Sequence, residues 1–225
     1  MAMLQYNEIC AALRRLVQSA ASLTADAVGS DLLSVGSNRL FQVGDTVILT
    51  DSEGHTETHT VVELVGLTGV RLDGPVVGSF TVAGGAEVQR LPALLPDLHW
   101  VGQGQPGLGP QPVEGRLPCV IVQPAAMEQP LAAGTNCAYQ QNYHCLVYYV
   151  QRARPGKTAS VELMDQVAEL FDLLMADPYL GGTAWYAQVV RVDPAPPALT
   201  RLREGGLEVV GAEIEVVAQL LTLVS

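Results

Sequence analysis

The stretch His55-Thr56-Glu57-Thr58-His59 brings two imidazoles and a carboxylate within five positions. On a helix the two histidines, four apart, would share a face and could chelate one ion. The surrounding residues are β-branched and threonine-rich, which reads as a strand. There, residues four apart are separated by roughly 13 Å, too far for one metal. A polar hairpin arm is the reading that fits. His99 and His144 have no companions at ligand spacing. Cys10, Cys119, Cys137 and Cys145 lie far apart with no CxxC pair, so free thiols of a reducing compartment are expected. The Gly-rich run GQGQPGLG is interrupted by Pro106 and has no Lys-Ser/Thr after it, which argues against a phosphate cradle. No GxSxG occurs. No catalytic, cofactor or metal site is read, and an enzyme is not expected.

Two further groups of residues point to contact rather than catalysis. Arg152, Arg154 and Lys157 form a basic cluster between a strand and a helix. It is either a solvated loop or a contact with an acidic neighbouring subunit. Tyr139, Tyr143, Tyr148 and Tyr149 share one strand, and Trp185 and Tyr186 begin another. Each strand has one face to give to a core, so the aromatics left over on the other face suit an interface. Tyr148, Tyr149, Arg152, Arg154, Trp185 and Tyr186 are therefore the candidate subunit-interface residues.

The chain has 225 residues, 48% hydrophobic and 16% charged, which is enough for a substantial core. The net charge of −11 argues against a non-specific nucleic-acid binder, since phosphate contact needs positive charge. An acidic wall would instead let DNA pass without sticking. No apolar run is long enough to cross a membrane, and the N-terminus lacks the basic region of a secretory signal.

The elements follow from periodicity. Residues 7–20 read as an amphipathic helix, with Ile9, Leu13, Leu16, Val17 and Ala20 on one face and Asn7 as N-cap. Residues 31–92 hold short β-branched runs at 46–50, 56–65, 70–72, 79–82 and 87–91, cut by Gly-containing turns, which suggests a small antiparallel barrel. Prolines and glycines make 93–112 a linker. Strands follow at 117–123 and 139–151, then a helix at 158–176. Its apolar stripe is Met164, Val167, Ala168, Phe171, Leu174 and Met175. Pro178 stops that helix and Gly181-Gly182 permits the reversal into a strand at 183–193. A last strand spans 207–223, with Ile214, Val216, Ala218 and Leu220 on one face and Glu213, Glu215, Val217 and Gln219 on the other. The expected fold is α+β: a two-layer α/β sandwich of about four strands and two helices, formed by 1–30 and 113–225, with an antiparallel β-barrel inserted at 31–92. One sheet face would be left to solvent or a partner.

The segments VELMDQVAELFDLLMADPYLGGTAWYAQVVRVD, NYHCLVYYVQRA and LEVVGAEIEVVAQLL, with the helix at 7–20, resemble the tail terminator (tail completion) proteins of long-tailed bacteriophages. The likeness lies in the order of patterns and covers about two-thirds of the chain. The FQVGDTVILTD segment and its continuation are similar to small β-barrel modules of phage adaptor and tail proteins. Compact members of the terminator family lack an insert of this size. The resemblance implies a virion protein, made in the host cytoplasm, that forms a hexameric ring at the head-proximal end of the tail. Such a ring ends tail-tube growth. Its implied partners are its own copies, the tail tube protein and the head completion proteins, with DNA passing through. Glu208, Glu213 and Glu215 are the candidate lumen-facing acidic strip. Another head-tail connector, a non-viral adaptor that binds through the barrel, and an enzyme with a site between subunits remain as alternatives.

Overall fold

The computed structural model describes residues 2–95, 97–103, 116–128, 138–153, 158–194, 196, 199 and 209–223. Helix α1 spans Ala2–Val17 and buries Ile9, Leu13, Leu16 and Val17 along one face. It starts well before Asn7, which lies inside the helix and does not cap it. It ends at Ser19, a non-glycine residue with φ of 58°. Ser19 is fully buried, and three hydrogen bonds hold it in that conformation. Its N–H donates to Leu16 O (3.0 Å), its Oγ accepts from Leu94 N (2.8 Å), and its carbonyl accepts from Arg90 N (3.0 Å). The chain therefore passes straight from helix to strand.

That strand opens a run of short ones: β1 (Ala20–Ser22), β2 (Ala27–Val28), β3 (Leu32–Ser34), β4 (Thr46–Thr50), β5 (Thr56–Val65), β6 (Gly69–Leu72), β7 (Ser79–Phe80) and β8 (Glu87–Leu91). Six of them form an antiparallel sheet in the order β1-β8-β4-β5-β6-β3, while β2 pairs with β7. The sheet curls until its ends meet: Leu23 bridges Val35, just beyond β1 and β3. Leu33, Val47, Leu49, Val61, Val70, Leu72 and Val88 fill its interior.

The second sheet contains β9 (Trp100–Gln103), β10 (Cys119–Glu128), β11 (Ala138–Arg152), β12 (Tyr186–Asp193) and β13 (Val209–Leu223), in the order β12-β13-β11-β10-β9. Strands β11 and β13 pair along their whole length, from Ala138↔Leu223 to Arg152↔Val209. Strand β9 runs parallel to β10 and the other pairs are antiparallel. Helix α2 (Thr158–Ala176) packs with α1 and against β12 and β13. On β13 the inward residues are Ala212, Ile214, Val216 and Ala218, all buried.

The expected fold class is corrected here. The protein is mostly β: strands make up 48% of the described residues, against two helices, so it is not a two-layer α/β sandwich carrying a small inserted barrel. Two physical causes stand behind the difference. Strands β1, β2, β3, β7 and β9 are two to four residues long, too short for a period of two to register. Strand β9 also lies inside the Pro/Gly-rich segment that reads as linker. Packing contributes the rest. One continuous core joins α1, the curled sheet and the inner face of the second sheet.

The stripe on α2 is corrected as well. Leu163, Val167, Leu170 and Leu174 face the core, whereas Met164, Ala168 and Phe171 are exposed.

Candidate functional site

The join between α2 and β12 is built by one aspartate. Asp177, buried, accepts hydrogen bonds from Tyr179 N (3.2 Å) and Gly181 N (2.8 Å). It folds the turn that Pro178 begins. Leu180, Gly181 and Gly182 all have positive φ (48°, 66° and 82°), a run that two glycines make affordable. Leu180 accepts the strain while its side chain is buried. The turn rests on the curled sheet. Gly36 lies so close that a Cβ there would sit 2.3 Å from Gly181 O, and the Arg39 guanidinium lies 5.4 Å from the Tyr179 ring centroid. The sharp stop in sequence is thus a clamp between the second sheet and the curled one.

Beyond the turn, β12 is an edge strand. Trp185 is 57% exposed, and Tyr186, Val190 and Val192 are exposed with it. The pairing with β13 shifts between Val189 and Arg191, so Val190 is the extra residue of a bulge. The outer N–H of Val189 is occupied by the Met175 sulfur at 3.5 Å. This edge is poorly suited to adding another strand. It offers side chains instead.

The bulge also aims Arg191 across the outer face of the sheet. Its Nη2 donates to Glu213 Oε1 and its Nε to Glu215 Oε2 (3.2 Å). Glu215 Oε1 also lies 2.8 Å from His144 Nδ1. The hydrogen bond from His144, with Arg191 beside it, holds the Glu215 carboxyl below the ordinary glutamate range against its partial burial. His144 Nε2 is buried without a hydrogen bond, 3.6 Å from Glu128 Oε2. Burial, and then the nearby Glu213, push the Tyr148 hydroxyl well above the usual tyrosine range. Strands β11, β12 and β13 are tied together by this network. Glu213 is buried and shares the Arg191 guanidinium with Glu215, so the two do not stand as an open acidic strip. Glu208 lies outside the described residues.

The expected interface residues separate. Tyr149 points into the main core. Tyr148, only 3% exposed, points the other way, into a second cluster with Cys119, Ile121, Val150, Leu199 and Val209. That cluster covers one end of the outer sheet face with the chain's own residues. Neighbouring strand residues must face opposite sides, so both tyrosines found cores because both sides are covered there. Arg152 is exposed at the end of β11, and Arg154 lies outside the described residues. Trp185 and Tyr186 remain at the surface. Sequence reading missed Val190 and Val192, whose exposure depends on β12 being the edge.

His55 pairs with Asp51 at 2.8 Å, and His59 lies 2.7 Å from Glu57 and 3.1 Å from Asp73. Glu57 in turn accepts from Val77 N and Gly78 N, at 2.8 and 2.9 Å. The imidazoles are used as props for turns. Among the described residues no group of three or more such side chains is placed to hold a metal. Cys10 and Cys145, both buried, meet at 3.9 Å as free thiols, and burial pushes the Cys119 thiol up to about 12. Among the described residues no helix is long and apolar enough to cross a membrane.

No protein-family model matches the chain, and no curated protein matches it.

Proposed function

We propose that this chain is a virion structural protein: a subunit of a ring, hexameric by the resemblance, at the head-proximal end of a long-tailed phage tail. The observation that carries the reading is the exposure of Trp185, Tyr186, Val190 and Val192 along the β12 edge, spread over both faces of the sheet there. A surface of this kind on an edge that resists strand addition suits packing against another folded body. A ring closes through a heterologous contact, in which this patch meets a different patch of the next copy. Aromatic anchors supply most of the energy in such contacts. The net charge of −11 suits a channel that DNA traverses without sticking. The reading leans on this surface and on the sequence resemblance, not on the small α/β fold that the resemblance implied.

In this role the ring ends growth of the tail tube and presents its other side to head completion proteins. The protein contributes surfaces and no catalysis. The test is to add the purified chain to tail tubes assembling in vitro. Tubes of defined length, each with a ring at one end, are expected. Tubes that elongate unchanged at every protein concentration would refute the role.

A further inference from the structure

Helix α2 is apolar over a wider arc than it buries. Beside the core-facing leucines, Val161, Met164, Ala168, Phe171 and Met175 recur at spacings of three and four, the pattern of a helix-pairing seam. Val161 is 60% exposed, Met164 49% and Phe171 37%. Alongside runs a second row at the same spacing, Glu162, Asp165, Glu169 and Asp172, all exposed. Among the described residues none of these four carboxylates forms an ion pair. The helix has no basic residue in its last turn. Like charges three and four apart on a helix repel, a cost that a docked row of cations would reverse.

We propose that this face receives an amphipathic helix of a different protein, whose apolar seam packs on Val161, Met164 and Phe171. A row of Lys or Arg on that helix lies over the four carboxylates. A second copy of this chain lacks the matching element, because among the described residues neither helix carries a row of Lys or Arg. Antiparallel two-fold pairing of α2 with α2 would set one acidic row against the other. Helix-in-groove recognition uses such a seam for affinity and the flanking charges for choice of partner. The inference does not depend on the ring. It uses the outer face of α2, whereas the ring contact uses β12.

The experiment is fluorescence anisotropy with the full-length protein and two labelled designed helices. Both carry the same leucine seam, one flanked by lysines and its twin by glutamates. The lysine helix should bind saturably, about tenfold tighter than the twin at low salt, as four rim pairs would give. The gap should narrow as salt rises. The double variant Met164→Gln/Phe171→Gln, altered only at exposed positions and checked by circular dichroism, should abolish binding. Replacing all four carboxylates (Glu162→Lys, Asp165→Lys, Glu169→Lys, Asp172→Lys) should reverse the preference between the two helices. Binding of neither helix, equal binding of both, or an unreversed preference would overturn the proposal. So would dissociation of a homo-oligomer by the Met164/Phe171 variant, which would make the occupant a second copy. A monomeric protein that still selects the lysine helix would sink the ring alone, and a ring that ignores both helices would sink this inference alone.

Discussion

Glu215 sits between His144 and Arg191, and these two partners hold its carboxyl below the ordinary glutamate range. A glutamate with a lowered folded-state value adds stability above its unfolded value. It loses that stability as pH falls through the folded value. Urea unfolding midpoints should therefore drop between neutral pH and pH about 3, and Glu215→Gln should show a shallower drop. Equal acid slopes for the two proteins would remove Glu215 from the account. Tyr148 and Trp185 make a contrasting pair. Tyr148→Ala empties a buried site and should cost ~3 kcal/mol of folding stability by chemical denaturation. Trp185→Ala should leave stability within about 0.5 kcal/mol but weaken assembly by about tenfold in the concentration at half-association, read by light scattering. An unchanged oligomer would show that Trp185 lies outside the contact.

At the scale of elements, the Asp177 turn has the clearest cause. Its Pro and two Gly are legible as a helix stop and a reversal. That it also clamps the curled sheet was not legible, because Gly36 and Gly181 approach only in three dimensions. Gly36→Ala would drive a Cβ into the Gly181 carbonyl and should cost about 2 kcal/mol or more in the urea midpoint, since backbone on both sides must move. A neutral substitution there would mean the two sheets are not held through this turn. Long elements with strong periods could be read from sequence: α2, β5, and the alternation of Ile214 and Glu215 on β13 all follow from it. Short strands could not. Neither could the split of α2 into a buried and an exposed apolar stripe, because the residue types are the same and only tertiary packing decides which half is covered. Tyr148 and Tyr149 fail for a related reason: alternation gives opposite faces but not whether each face is buried.

At the scale of the molecule, one core runs through α1 and both sheets, while apolar side chains stay exposed along β12, along the outer arc of α2 and in the loops of the curled sheet, where Val43, Leu67 and Val77 reach solvent. The outer face of the second sheet is closed partly by its own small cluster and partly by ion pairs, so within that sheet the exposed apolar side chains lie mainly along β12. An acidic body with exposed apolar side chains along one strand suits the ring proposed above: general repulsion between copies, overcome at one defined contact. The most direct test is electron microscopy of the isolated protein beside its Trp185→Ala variant. The account predicts closed rings of one size for the parent protein, scarcer or absent at the same concentration in the variant. Uniform single copies of the parent, at concentrations well above those of assembly, would contradict it.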